Sequence, residues 1–286
     1  MNQINRWGLF VVFICLLGLA KIAFALDVND LIFRGADFHY KGDLDKAISQ
    51  FKAAVRLAPH NEYAHNQLGI LYAKKEWFKA ASEEFKRVIQ IDGRNTYALL
   101  WMGILDLKGG NLNSAFDTFQ KIIRIDPDNA DAYYFLGAIY NFRHNPAKAI
   151  EYLKKARDAD SGEPDTHYRL GKAFHNLDMT ANALLEYQRT LSLNPMYAKA
   201  INETGWIYYN RGNIDKAIAQ WKKTLAINSK DRDAIFNLTK AYNDLALKAL
   251  NAGNRKRATV YWEKTLSINP KNKAALHHMK KYQKNN

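Results

Sequence analysis

The titratable side chains of this sequence are arranged for binding rather than for covalent chemistry. The sequence contains no phosphate-binding glycine loop with Lys-Ser/Thr, no His-Glu-x-x-His pattern and no Gly-x-Ser-x-Gly elbow. His277 and His278 are adjacent, so on a helix they point about 100° apart and form a poor joint metal site. The one cysteine is Cys15. We therefore expect no enzyme activity and no metal or other cofactor.

Aromatic, aliphatic and amide side chains recur at a spacing that suits noncovalent recognition. The spacing occurs at Tyr63, Asn66 and Ile70 and again at Tyr97, Leu100 and Ile104. Residues separated by three and then four positions lie on one face of a helix. Tyrosine offers a large apolar area together with a hydroxyl group, which suits the energetic centre of an interface. Binding of a partner is thus the chemistry that these residues favour.

The helices that carry these residues follow a fixed period along the chain. Glycines recur at a constant interval, at Gly35, Gly69, Gly103, Gly137, Gly171 and Gly205. Each glycine is followed, again at a constant interval, by Ala47, Ala81, Ala115, Ala149, Ala183 or Ala217. One helical turn further comes Phe51, Phe85, Phe119, Leu153, Tyr187 or Trp221. A period of roughly 34 residues is the sequence signature of a solenoid built from stacked helix pairs.

This pattern resembles the tetratricopeptide repeat (TPR) family from about Val28 to Asn272. The resemblance implies an all-α fold, a right-handed superhelical solenoid of about seven helix–turn–helix repeats with a C-terminal capping helix. We place the repeats at residues 28–61, 62–95, 96–129, 130–163, 164–197, 198–231 and 232–272, with the cap at 273–286. Residues 26–286 then form one solenoid domain, because no low-complexity linker interrupts the repeats.

The resemblance also implies where a partner binds, since the first helix of each TPR repeat lines the concave groove. The groove residues that it implies are Tyr63, Asn66, Ile70, Tyr97, Leu100, Ile104, Tyr134, Tyr168, Lys172, Asn202 and Trp206. The alternative interpretation of the aromatic members is that they pack between adjacent helices. Chaperone-type TPR proteins clamp a C-terminal carboxylate with a set of Lys, Asn and Arg residues. The corresponding positions here do not reproduce that set, so we do not expect a carboxylate-tail receptor.

Packing and helix ends can also be predicted from the residues. Glycine inside a helix costs about 1 kcal/mol relative to alanine, so six in-phase glycines indicate close helix packing, with Gly137 and Ala149 facing each other or their neighbours. The large residue after each alanine is expected to fill the gap between neighbouring repeats. We predict side-chain N-caps before the second helices at Asp43, Asn111, Asn145, Asn213 and Asn254. Before the first helices we predict them at Asn61, Asn95, Asn129, Asp231 and Asn272.

The last repeat departs from the pattern. Thr239 replaces the expected glycine, and seven added residues lengthen the interval from Thr239 to Ala258. Seven added residues are about two turns, so the helical phase shifts by only about 20°. Ala246 precedes Ala258 by the interval that the other repeats show, so the register can be read from either Thr239 or Ala246. Both readings predict one long helix from about Arg232 to Ala252.

The N-terminus has the pattern of a targeting segment. An apolar run from Leu9 to Ala20 is followed by Ala23-Phe24-Ala25, a small–x–small cleavage site. We expect residues 1–25 to be a signal peptide and the protein to be exported to the periplasm. The alternative is an uncleaved inner-membrane anchor at residues 9–26. Lipidation at Cys15 is not expected, because the preceding Ile14 is not a small residue.

Charge and composition leave two classes of function open. The net charge is +14, and many lysines lie on second helices or near the C-terminus. We expect a cell-envelope scaffold or adaptor that binds a protein or peptide in the groove. The alternative is a binder of anionic polysaccharide or another anionic polymer. The export signal argues against nucleic acid as a partner. Association with a membrane complex of the envelope and the oligomeric state stay open.

Overall fold

The computed structural model describes residues 27–283, and within them the chain forms fifteen α-helices and no strands. The predicted signal segment and its cleavage site lie outside the described residues. The helices are α1 (27–40), α2 (Leu44–Leu57), α3 (Glu62–Lys74), α4 (Phe78–Ile91), α5 (Thr96–Lys108), α6 (Leu112–Ile125), α7 (Ala130–Phe142), α8 (Pro146–Ala159), α9 (Pro164–His175), α10 (Thr180–Leu193), α11 (Ala198–Asn210), α12 (Ile214–Ile227), α13 (Arg232–Asn251), α14 (Arg255–Ile268) and α15 (Lys273–Gln283).

The helices are grouped in two compact units, one ending at Ala132 and the other beginning at Tyr133, within α7. In the first unit, consecutive helices from α2 to α6 pack against one another in chain order. In the second unit, consecutive helices from α8 to α15 do the same, and α11 also contacts α13. Each helix thus buries its apolar face against its neighbours in sequence, as expected for repeats that each contact only adjacent repeats.

The repeated glycines allow a large side chain of the second helix to contact the first helix directly. A Cβ atom added to Gly69 would lie 2.6 Å from the Phe85 ring, and one added to Gly137 would lie 2.5 Å from Leu153 Cγ and 3.3 Å from the Ala149 carbonyl oxygen. The prediction that Gly137 faces Ala149 or its neighbours is therefore confirmed. The large residue lies on the glycine of its own repeat, and not only in the gap between repeats as expected.

Most of the predicted N-caps are confirmed by side-chain hydrogen bonds to the backbone N–H three residues on. The confirmed caps are Asp43, Asn61, Asn95, Asn129, Asn145, Asp231, Asn254 and Asn272. Asn111 and Asn213 occupy the predicted N-cap positions, but their side chains make no hydrogen bond to the helix. The Asn111 amide instead donates to Asp106 Oδ1, at 3.4 Å. The structure offers no reason for the lack of a cap at Asn213.

The long helix α13 uses both registers that the sequence leaves open. Leu238 and Tyr242, which follow the register of Thr239, are buried in a cluster with Trp221 of the preceding helix. Ala246 and Ala249, one to two turns later, are buried in a cluster with Ala258 and Trp262. Because the seven added residues make about two turns, one helix can present the first register to α12 and the second to α14. The predicted helix from Arg232 to Ala252 is confirmed, with Ala252 as its C-cap.

Two buried histidines occupy equivalent positions three periods apart. His65 Nδ1 is 2.6 Å from Glu84 Oε2, and its Nε2 is 3.0 Å from the Pro59 carbonyl oxygen. His167 repeats this arrangement, with Nδ1 2.7 Å from Glu186 Oε2. Each pair joins the first and second helices of one repeat. The hydrogen bond to Glu84 raises the pKa of His65, although burial opposes the rise.

Candidate functional site

In the first unit, the predicted groove residues form an aromatic surface on a partly buried apolar floor. Tyr63 is 49% exposed and Tyr97 is 45% exposed, and they lie on the consecutive first helices α3 and α5. The Tyr63 ring contacts Phe51 edge-on at 6.4 Å between centroids, and Tyr97 contacts Trp101 at 6.5 Å. Packing therefore fixes one edge of each tyrosine ring and leaves the rest open to solvent.

We call Ile70, Leu100 and Ile104, the partly buried residues at the predicted groove positions of α3 and α5, the floor of this surface. Ile70 and Leu100 are partly buried, as the sequence position of each on a first-helix face predicts. Beside the floor, the Asn66 side-chain oxygen is buried and accepts no hydrogen bond from the described residues. A buried acceptor without a partner costs about 1–3 kcal/mol, so such a group in a native structure calls for an explanation. The surface thus combines two exposed aromatic rings, an apolar floor and one unused hydrogen-bond acceptor.

In the second unit, Tyr134 is held by a residue that the sequence analysis missed. Arg169 of α9 donates from Nε to the Tyr134 hydroxyl oxygen at 2.6 Å, and its guanidinium carbon lies 4.9 Å from the ring centroid. Burial raises the pKa of Tyr134, and the neighbouring Arg169 charge opposes this. Tyr134 therefore anchors α7 to α9 through a cation–π contact and a hydrogen bond.

Tyr168 of α9 lies in a cluster of three tyrosines, with Tyr187 of α10 and Tyr197, the N-cap residue of α11. Its ring centroid is 5.9 Å from that of Tyr187 and 5.2 Å from that of Tyr197. Burial raises the pKa of Tyr168 to about 12, with a smaller contribution from the Glu203 charge. Tyr197 donates a hydrogen bond to Asp165. Tyr168 thus serves largely in packing between helices, which is the alternative interpretation stated for the aromatic groove candidates.

Lys172 is not a free cation, because Glu203 of the next first helix pairs with it. Lys172 Nζ donates to Glu203 Oε1 at 2.9 Å, and His175 Nδ1 is 3.6 Å from Glu203 Oε2. Burial raises the pKa of Glu203, but the hydrogen bonds from His175 and Lys172 outweigh it, so the pKa is lowered overall. Glu203 of α11 therefore compensates the positive charge of Lys172 on α9.

Asn202 and Trp206 lie on α11 beside the long helix α13. The Asn202 side-chain oxygen accepts from Asn237 Nδ2 at 3.3 Å. The partly buried Trp206 stacks on Tyr209, with centroids 5.5 Å apart and an interplanar angle of 13°. The Tyr209 hydroxyl accepts from Lys240 Nζ at 2.8 Å and donates to Asp244. These contacts continue the series of polar links between consecutive first helices.

Four site residues were not predicted from the sequence: Arg169, Glu203, Phe236 and Lys240. Each lies at the same repeat position as a predicted groove residue, or at the position next to it. Glu203 and Arg169 are one position after Asn202 and Tyr168, and Phe236 and Lys240 stand one full period after Asn202 and Trp206. Extending the periodic row to the last repeat would have found Phe236 and Lys240. Arg169 and Glu203 carry no such signal, because their pairing depends on side-chain conformation.

Metal clusters and membrane spans are both absent from the part of the chain that the structure describes. Between residues 27 and 283, no group of three or more His, Cys, Asp or Glu side chains is placed to hold a metal ion. The helices in that same range are all too short or too polar to cross a membrane.

Models of known protein families match most of the described helices. A model described as a TPR repeat matches residues 35–76, and tetratricopeptide repeat models match residues 63–95, 97–129, 118–151 and 168–232. No curated protein sequence matches the chain.

Among solved structures, MamA protein is 30% identical, with 63% of this chain and 94% of that chain covered and a TM-score of 0.51. Pseudomonas aeruginosa pilF is 16% identical, with 74% and 96% covered and a TM-score of 0.66. YrrB, described as a TPR protein with an unusual peptide-binding site, is 20% identical, with 65% and 96% covered and a TM-score of 0.52. At their level of identity, pilF and YrrB show a shared fold alone. The all-α helix pairs, the repeat matches and the MamA similarity agree: the chain belongs to the tetratricopeptide repeat family.

Proposed function

We propose that the chain is a non-enzymatic scaffold that binds a protein or peptide partner along the faces of its first helices. Tetratricopeptide repeat proteins generally bind such partners, and the family membership supports this class of function. The observation that carries the proposal is the pair of half-exposed tyrosines, Tyr63 and Tyr97, on consecutive first helices beside the unused Asn66 acceptor. Aromatic rings that are fixed on one edge and open on the other lose little entropy on binding, which suits interface anchors.

Site-specific cross-linking in intact cells tests this proposal. A photoreactive phenylalanine analogue replaces Tyr97 in one strain and Lys86, an exposed residue of the second helix α4, in a control strain. We expect a discrete protein adduct from position 97 and none from position 86. Equal labelling from both positions, or no protein adduct from position 97, would contradict the proposal.

We further propose that the protein acts in the cell envelope after export to the periplasm. The apolar run Leu9 to Ala20 and the Ala23-Phe24-Ala25 site motivate this proposal. The expected mature N-terminus is Leu26, and N-terminal sequencing of the native protein checks it. A full-length, carbonate-resistant membrane form would contradict cleavage and favour the anchor at residues 9–26.

A further inference from the structure

The last first helix, α13, borders a cleft that the sequence analysis did not include. The cleft has a volume of about 470 Å³. On the α13 side it is lined by Arg232, Ile235, Phe236, Thr239, Lys240, Asn243 and Asp244. Asn269 and Asn272, from the segment that joins α14 to α15, also line the cleft.

The apolar feature of this cleft is Phe236, which is 65% exposed. It makes no ring or cation–π contact with any residue in the described range 27–283. It stands one period after Asn202 and two periods after Tyr168, so it belongs to the same row of first-helix positions. A single exposed apolar residue is ordinary on a protein surface, but an aromatic ring in a cleft with converging polar groups is the usual composition of a binding site.

Most of the charged residues that line or flank the cleft are cationic. Lys230, Arg232, Lys271 and Lys273 are exposed, and their side chains form no ion pair with the residues that the structure describes. Lys240 differs, since Asp244 and the Tyr209 hydroxyl already bind its amino group. Asp231, the N-cap of α13, the exposed Asp233 and Asp244 bring negative charge, but they are outnumbered by the cations Lys230, Arg232, Lys240, Lys271 and Lys273. The uncompensated charge therefore favours an acidic occupant.

Two amides provide hydrogen-bonding groups for the backbone of an extended chain. Asn243 Nδ2 is 3.4 Å from Asn272 Oδ1, a long and weak hydrogen bond, while Asn243 Oδ1 accepts from Thr265. Asn272 Oδ1 also caps α15 by accepting from Ala275 N at 3.0 Å. The oxygens of both side chains are therefore engaged, whereas the Asn272 NH2 group and one N–H of Asn243 are left to donate to peptide carbonyl groups.

We propose that this cleft binds an extended acidic segment of a partner protein that places an apolar side chain on Phe236. The segment's carboxylates lie toward Arg232 and the lysines at 230, 271 and 273, and its backbone carbonyls accept from Asn243 and Asn272. This inference rests on the proposed function and specifies the partner's chemistry at the C-terminal end of the second unit.

Fluorescence anisotropy with three labelled peptides tests the inference on the purified protein. One peptide is acidic with a central phenylalanine, the second has serine in place of phenylalanine, and the third has amides in place of the acids. We expect the first peptide to bind, and the other two to bind at least about tenfold more weakly. Phe236→Ala and Arg232→Glu should each weaken the first peptide by about tenfold, whereas the control variants Phe33→Ala and Lys222→Glu should leave its affinity unchanged.

Several outcomes would overturn the inference. Equal binding of the two acidic peptides would indicate a binder of anionic polymers, and binding that is indifferent to Phe236→Ala would place the peptide elsewhere. Dissociation of a dimer on Phe236→Ala, measured by sedimentation velocity, would make a second copy the occupant. Because Phe236 is exposed, thermal melts should show that each variant folds. Tyr97 lies in the other unit. A cross-link from position 97 that is still observed when the cleft fails to bind the acidic peptide would contradict this inference but leave the proposed function intact.

Discussion

Glu203 shows how one residue changes the character of the second unit. Its carboxylate accepts a hydrogen bond from Lys172 and lies close to His175, both on α9. The pairing links the two first helices α9 and α11 and leaves Lys172 without an uncompensated charge. Lys172 and its position on a first-helix face could be predicted from the repeat. Its pairing with Glu203 of the next repeat could not, because sequence spacing does not determine which rotamers two long side chains adopt. The same holds for Arg169 and Tyr134.

Glu203→Gln should destabilise the protein by about 1–3 kcal/mol at neutral pH, because Lys172 and His175 lose a charged acceptor in a partly buried site. The folded-state pKa of Glu203 is lowered from 4.5. Its stabilising contribution is therefore present above pH 4.5 and is lost as the pH falls through the lowered folded-state value. Urea unfolding at several pH values should show the two proteins converging in acid. A stability difference between the wild-type protein and Glu203→Gln that persists unchanged at low pH would contradict this assignment. Glu83→Gln, at an exposed position, is the control and should not change the stability.

At the scale of elements, the sequence predicted most of what the structure contains. The glycine, alanine and large residue that recur at constant spacing predict helix pairs. Only a residue without a Cβ atom, such as Gly69 or Gly137, leaves room for Phe85 or Leu153 to pack against the first helix. Asn111 stands at the predicted N-cap position of α6, but its side chain does not cap the helix and its amide donates to Asp106 instead. The sequence allowed two registers for α13, one counted from Thr239 and one from Ala246. The helix uses both, because its first part packs on α12 and its last part packs on α14.

Ala149→Leu should overpack the contact between α7 and α8 and cost about 1–3 kcal/mol. Ala149 is fully buried, and its carbonyl oxygen lies 3.3 Å from the position that a Cβ atom on Gly137 would occupy. Ala147→Leu, at an exposed position of the same helix, is the matched control. Gly42 is a poor control, because its φ of +79° would strain any replacement. Equal thermal melting of both leucine variants would refute the close-packing interpretation.

The His65–Glu84 pair between α3 and α4 should make stability depend on pH in the opposite sense to Glu203. The folded-state pKa of His65 is raised above 6.5, so its contribution is complete below pH 6.5 and is lost as the pH rises through the raised value. His65→Gln should therefore destabilise the protein more at pH 6 than at pH 9. Denaturant unfolding at both pH values measures this, with exposed His60→Gln as the control. A larger loss at pH 9 would show that the sign is wrong.

At the scale of the whole molecule, each of the two units presents a different first-helix face. The first unit offers half-exposed tyrosines beside partly buried apolar residues, and the second offers paired polar side chains together with an exposed aromatic ring, Phe236. The sequence predicted the all-α repeat architecture and the positions from which a partner can be contacted. It could not predict how exposed each candidate is, because exposure depends on the side chains of neighbouring repeats, as Tyr168 and Tyr197 show.

The central claim is that first-helix faces, and not exposed charges on second helices, hold the partner. The most direct measurement is a salt titration of the pulled-down complex for the wild-type protein, Tyr97→Ala, Trp206→Ala and the second-helix control Lys154→Glu. Because exposed charges are screened within about 8 Å at physiological ionic strength, binding to an anionic polymer should fade steeply with salt.

We predict salt-tolerant binding that each aromatic variant weakens by about 1–2 kcal/mol and that Lys154→Glu leaves unchanged. Thermal melts of the variants establish that weakened binding is not unfolding, a check that matters most for the partly buried Trp206. Binding that is abolished by moderate salt and is indifferent to both aromatic substitutions would contradict the account.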